Sequence, residues 1–448
     1  MPLPSEHDHP RSKGASASYY DSSDDSSDCL TPLGPFSATK GESPGDLDSF
    51  IDSRKDGEDW FALYNPREPR SLNVSLMFQV NHESEVNCVR FSKDGLWLAT
   101  GCSAGAKIFD VRTGTLRCTL IDKNRNSAYS VCFSPDGKYL ATTLAGSIQV
   151  NFSLSSTYGL LTGGLVCWDT DVPSTSPSQI WDISRKCIDY TFRGHQGLVN
   201  SLDFSHDGSF VASDSDDKTV RIWNMNTRES KVFPIADDPD NTYMRRVRRV
   251  AVSPNDRFVA VAFNKVVYIW DIETRTQIDC LRGHDDWVYS VVFTPDGKGL
   301  VSCSYDKTLK YWEFSTALSD THETGRQFSE CMQDFTGHRD QVFSVAISHD
   351  GQWIVSGSGD RGVQFWDRHG RTHLMLQGHH EFSTWLCLQV FRWSNVVMIC
   401  AVTSVDLSPA GGYLATGASD RRTRVCKSLP TCYLPSTLPT ELSFLASI

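Results

Sequence analysis

The chain has 448 residues, 39% of them hydrophobic and 22% charged, with a formal net charge of −11. Its fourteen cysteines stand singly in strand-like apolar runs such as Val131-Cys132-Phe133 and never as Cys-x-x-Cys, which points to reduced core residues and away from zinc or a disulfide framework. Met1 to Pro10 is polar and offers no secretory signal, so a soluble intracellular protein is expected.

The first 59 residues hold thirteen acidic and five basic side chains, a net of −8. The run Asp21-Ser22-Ser23-Asp24-Asp25-Ser26-Ser27-Asp28 and the Pro, Gly and Ser around it lack the apolar content to fold, so residues 1–59 read as a disordered acidic arm. Serines followed by acidic residues suit acidophilic kinases, although a solubilising leader is the simpler reading. Order is expected to begin at Asp59-Trp60-Phe61-Ala62-Leu63-Tyr64-Asn65-Pro66. Leu72 to Phe78 alternates like a strand but lies too far ahead of the first tight turn to be an inner strand there. It is placed as the outer strand of the last repeat, where it closes a ring and removes an exposed edge.

Seven tight turns follow: Lys93-Asp94-Gly95, Pro135-Asp136-Gly137, His206-Asp207-Gly208, Asn255-Asp256-Arg257, Pro295-Asp296-Gly297, His349-Asp350-Gly351 and Pro409-Ala410-Gly411. Each lies between alternating apolar runs such as Val291-Val292-Phe293 and Leu300-Val301, the pattern of a β-hairpin. Three repeats add a stricter signature. A Gly-His pair is followed by Asp twenty-two residues after the His, and by Trp six residues later: His195, Asp217, Trp223; His284, Asp306, Trp312; His338, Asp360, Trp366. With Ser213, Ser302 and Ser356 these form predicted structural tetrads, in which the imidazole donates to the carboxylate and faces the serine through its other nitrogen. Self-similarity near forty residues with these residue types is the mark of a propeller of four-stranded blades, none of which can bury its faces alone. The expected fold is therefore all-β: a seven-bladed WD-repeat β-propeller over 60–428, preceded by the acidic arm and followed by an irregular tail at 429–448.

Two blades carry extra sequence, about thirty residues near 146–178 in blade two and about twenty near 380–400 in blade seven. These pieces and the tail read as foreign to the blade pattern, as translated intron or misassigned coding sequence would. His379 to Asp420 is stretched to 41 residues, and Cys426 stands where Trp is expected. Leu386 to Val402 is too short for a membrane span and carries Arg392 near its middle. Blade four lacks Gly-His and has Asn264 in place of the aspartate, so its tie is incomplete and lower local order is expected; it also holds the basic run Arg245-Arg246-Val247-Arg248-Arg249.

The stretch Trp60 to Pro66, then His82-Glu83-Ser84-Glu85-Val86-Asn87-Cys88-Val89-Arg90-Phe91-Ser92, Ala99 to Cys102 and Ala106 to Val111 resembles the C-terminal propeller of the fungal Tup-type general transcriptional corepressors. The likeness continues through Tyr129 to Thr142 and Ile180 to Gly378, and in style it extends to Groucho-like corepressors. It implies a nuclear protein-interaction module that docks sequence-specific DNA-binding repressors, with histones or other corepressor subunits as further protein partners, and with no cofactor, no direct DNA contact, no membrane and no small molecule. The resemblance also implies a helical oligomerisation segment ahead of the propeller, and no heptad pattern precedes Trp60. The chain thus reads as a shortened product without the usual route to a tetramer. The alternative is a WD-repeat scaffold or substrate receptor in a signalling or ubiquitin-ligase complex.

The expected partner face bears the loops before the first strand and between the second and third strands of each blade. The side chains flanking the valine after Gly-His, and the one before the structural aspartate, are Trp287, Tyr289 and Tyr305 in blade five, an aromatic cluster of the kind that anchors interfaces. Equivalent positions are Glu85, Asn87, Tyr129, Leu198, Asn200, Asp216, Arg246, Arg248, Gln341, Phe343 and Thr403. The five-residue basic run is a second candidate, able to take an acidic peptide; no reading helix or zinc finger accompanies it for DNA. Ser, His and Asp recur in blade after blade, which argues for staples and against a hydrolase triad, so no catalytic and no metal-binding residue is assigned.

Overall fold

The tight turns set the frame. In the computed structural model, which describes residues 54–121, 127–145, 178–235, 247–314, 330–379 and 401–430, Gly95, Gly137, Gly208, Gly297, Gly351 and Gly411 take φ between +66° and +80°. Each N–H closes on the carbonyl three residues back, as Gly95 does on Ser92 at 2.9 Å. Only glycine enters this region without steric cost. In blade four the position belongs to Asp256 (φ +58°), so the turn there is Pro254-Asn255-Asp256 and the reading through Arg257 is corrected by one residue.

Around these turns the strands assemble into seven antiparallel sheets. The innermost strands are Val86–Phe91, Ser127–Phe133, Val199–Phe204, Val247–Val252, Val288–Phe293, Val342–Ile347 and Val402–Leu407. Each packs on its two neighbours, and the seventh packs back on the first, so the ring is closed. The core follows the same logic. Each apolar cluster sits between two adjacent blades, as where Val220, Ile222 and Phe233 of blade three meet Val259, Val261 and Tyr268 of blade four. The last joins Val86, Val89 and Leu98 of blade one to Ala415 and Val425 of blade seven.

Strand Leu72–Asn81 pairs antiparallel with Arg422–Pro430, from Leu72 opposite Pro430 to Asn81 opposite Arg422, and so supplies the outer strand of blade seven as the alternation predicted. The residues ahead of it do more than lead in. Arg54–Asp56, inside the stretch assigned to the acidic arm, pairs with Phe61–Tyr64, and this hairpin adds to Thr372–Gln377 to make blade six a six-stranded sheet.

Both enlarged blades form. In blade two, Ser178–Asp182 pairs directly with Tyr139–Ala145, which puts the extra sequence between the second and third strands. In blade seven it falls between the outer strand of blade six and Val402–Leu407. The extra segments themselves, most of the acidic arm, most of the apolar stretch at 386–402, Arg246 and the tail from 431 lie outside the described residues.

The tetrads form in all three predicted blades. His195 Nδ1 lies 2.9 Å from Asp217 Oδ2, and its Nε2 lies 2.7 Å from Ser213 Oγ, which accepts Trp223 Nε1–H at 2.8 Å. The corresponding distances are 2.7, 2.8 and 2.9 Å around His284, and 2.8, 2.7 and 2.8 Å around His338. An indole N–H only donates, so the serine oxygen accepts it, while the imidazole spans the serine hydroxyl and the carboxylate through its two nitrogens. Blade seven makes a fourth tie despite its insertion, with His379 2.8 Å from Asp420 and 2.9 Å from Thr416 in the serine's place.

Blade four, without the tie, compensates with apolar packing. Every residue of Phe258–Phe263 and Val266–Asp271 is buried.

Candidate protein-docking face

The Gly-His loops and the turns between second and third strands open at one end of the ring, where the tetrads hold them. Asp217 illustrates the hold. Burial pushes its carboxyl up, but His195, Thr219 and the Gln196 N–H together outweigh that and keep it well below the usual carboxylate range.

At this end the channel mouth widens into a cavity of about 320 Å³ lined by Asn87, Tyr129, Asn200, Arg249, Tyr289 and Phe343, with Thr403 and small residues between them. The aromatic positions of blades five and six meet there as a ladder. Trp287 lies 6.1 Å from Tyr305 between ring centroids, Tyr305 stacks on Tyr289 at 6.0 Å, and Tyr289 meets Phe343 edge-on at 5.0 Å. All four are half-buried, with area left for a partner. Tyr129 is 44% exposed at the opposite side of the mouth.

The polar members are held. Asn200 Nδ2 donates to Asp216 Oδ1 at 2.9 Å, Asn87 Nδ2 donates to the Ala128 carbonyl at 3.1 Å, and Thr403 Oγ1 donates to the Gly417 carbonyl at 3.0 Å. Glu85 stands exposed on the rim, while Leu198 and Gln341 are half-buried in the loops. Arg248 lies on strand Val247–Val252, at the register position of Asn87 and Asn200.

Arg249, the last residue of the basic run, lines the channel, a placement that the sequence reading missed. The signal was available: two residues after Val86, Ala128, Val199, Val247, Val288, Val342 and Val402 of the inner strands stand Cys88, Ser130, Ser201, Arg249, Ser290, Ser344 and Ser404, and the arginine alone is neither small nor uncharged. Four of the serines tie blade to blade. Ser404 Oγ accepts Val89 N–H at 3.0 Å, Ser130 accepts Leu202 at 3.2 Å, Ser201 accepts Val250 at 3.3 Å and Ser344 accepts Val405 at 3.1 Å. Deeper in the channel, Asp406 Oδ2 accepts Phe91 N–H at 2.7 Å and Asp203 Oδ2 accepts Val252 N–H at 2.9 Å.

Catalytic chemistry finds no support in this arrangement. Each tetrad serine is buried and its oxygen is occupied by an indole N–H. Burial pushes the Cys88, Cys132 and Cys426 thiols up to about 12, which makes them inert core residues. Among the described residues no group of His, Cys, Asp and Glu is arranged to hold a metal ion, and no helix is long and apolar enough to cross a membrane.

Comparison with known proteins agrees with the geometry. The family model described as WD domain, G-beta repeat matches residues 74–110, 114–170, 186–224, 240–271, 275–313, 329–367 and 386–426. Transcriptional repressor rco-1 of Neurospora crassa is 40% identical over 387 residues, covering 85% of this chain and 56% of that protein. General transcriptional corepressor TUP1 of Saccharomyces cerevisiae is 32% identical over 423 residues, covering 84% and 55%. Nuclear distribution protein PAC1 of Arthroderma otae is 25% identical over 263 residues, covering 55% and 53%. The likeness to the propeller of the Tup-type corepressors, read first from the leading segment and blade one, therefore holds along most of the chain. The chain spans about half the length of the relatives it matches.

Proposed function

Because this chain belongs to the WD-repeat family of the WD domain, G-beta repeat, we propose that it is the protein-interaction module of a transcriptional corepressor, acting in the nucleus by docking DNA-bound repressors on the channel-mouth face. The observation that carries this reading is the ladder Trp287, Tyr305, Tyr289 and Phe343 on a rim fixed by buried ties. Half-buried aromatics on a rigid frame lose little side-chain freedom on binding and concentrate interface energy. The names of the two relatives with the higher identities supply the biological context, a repressor and a corepressor.

The test is proximity labelling in nuclei with wild-type chain and with W287A/Y305A. Sequence-specific DNA-binding proteins should be labelled by the wild type and lost with the double variant, whose melting temperature should stay close to wild type. Labelling dominated by ubiquitin-ligase or vesicle components, or unaffected by the substitutions, would reject this assignment in favour of the scaffold or receptor alternative.

A further inference from the structure

Arg249 plays no part in the hydrogen bonds that hold the channel together. A guanidinium only donates, so it cannot accept a neighbouring blade's N–H as Ser130, Ser201, Ser344 and Ser404 do. The channel carboxylates are engaged elsewhere. Asp406 sits 3.9 Å from Arg90 and accepts Phe91 N–H, while Asp203 accepts Val252 N–H. Among the described residues no carboxylate forms an ion pair with Arg249. Burial and the like charge of Arg90 both work against its protonated form, with Asp203 and Asp406 only partly opposing them. A cation thus faces the cavity with its charge under-compensated, beside the aromatic ladder through Tyr289 and Phe343.

We propose that Arg249 is a specificity-determining residue of the docking face: it receives the carboxylate of an Asp or Glu side chain in a partner peptide whose adjacent apolar side chain lies on the Tyr289 and Phe343 end of the ladder. This rests on the docking reading given above. A planar guanidinium takes a carboxylate through two parallel hydrogen bonds. The cavity of about 320 Å³ has room for individual side chains and not for a folded domain, so the ligand enters it through side chains of an exposed segment.

The experiment pans a phage-displayed random-peptide library against the whole chain, then measures recovered peptides by fluorescence polarisation on wild type, R249Q, R249K and W287A. Recovered peptides should carry Asp or Glu beside an apolar residue. Replacing that acid by its amide should weaken binding to wild type about tenfold and leave binding to R249Q unchanged. R249Q should fold, since it removes a crowded cation; if it does not, R249K carries the test, because loss of the two-point contact should reduce the discrimination severalfold. Peptides without acidic enrichment, or an amide penalty undiminished in both variants, would overturn the role of Arg249 while the docking reading stands. Failure to recover any peptide sensitive to W287A would overturn both.

Discussion

His284, Ser302, Asp306 and Trp312 form one hydrogen-bonded unit, so truncating its centre strands the rest. H284A leaves a buried serine and a carboxylate each short of a partner, and should lower stability by about 1–3 kcal/mol in a denaturant melt, as H195A and H338A should. Buried titratable groups set the acid response. His82 is lowered from 6.5 to about 4, by burial and then by Lys107, so between these values the unfolded chain binds a proton that the native chain refuses. Stability therefore falls as pH drops from about 6.5 to 4, and buried His379, lowered despite Asp420, adds to that limb. Asp217, Asp306 and Asp360 act lower down. Burial raises each carboxyl, but the histidine, hydroxyl or backbone donors around them win, so their contribution is intact above the ordinary aspartate value and is lost as pH falls below it. H82Q should flatten the upper limb by on the order of 1–3 kcal/mol and leave the lower one in place, as read from melts across pH.

The element that most departs from a plain blade is the leading hairpin. In blades three, five and six the glycine of Gly-His lies against the tetrad tryptophan, so that a Cβ there would crowd Trp223, Trp312 or Trp366. Blade seven has Cys426 at that position, and its Gly378 lies instead against Trp60 and Arg424. Asp59, next along the hairpin, reaches Arg424 at 2.7 Å and Arg422 at 3.1 Å. The hairpin therefore packs Trp60 on the apolar cluster that holds Cys426 and gives Arg424 its counter-charge. W60A should cost about 2–3 kcal/mol through the cavity it opens, less than a fully buried indole would. D59A should cost about 1–2 kcal/mol, discounted for the partial exposure of Asp59, because Arg424 is itself buried; thermal melts of both variants check this. The sequence placed the start of order at Asp59-Trp60, a few residues later than strand Arg54–Asp56, and did not reveal what Trp60 packs on. Periodicity reports which residues are apolar, while the pairing of Phe61–Tyr64 with Thr372–Gln377 joins segments some three hundred residues apart.

At the scale of the whole molecule, closure depends on one strand drawn from the far end of the chain. Removing residues 54–81 would bare the edge of Arg422–Pro430 and strip Ala62, Tyr64, Leu72 and Val74 from the apolar cluster between blades six and seven. The expected result is loss of the single cooperative melt and concentration-dependent association in sedimentation, whereas a sharp wild-type melt would mean that the ring closes without it. Seven blades, six of their turns and the three full tetrads were readable from the chain because each depends on local spacing: an Asp-Gly turn needs left-handed backbone at one residue, and a tetrad needs His, Ser, Asp and Trp at set intervals. The aromatic ladder was readable too, since equivalent positions in successive repeats must converge at one rim. Arg249 and the hairpin were decided only in three dimensions. A strand position facing a channel and one facing solvent look alike in a basic run, and nothing local tells a hairpin which of seven similar edges it will extend.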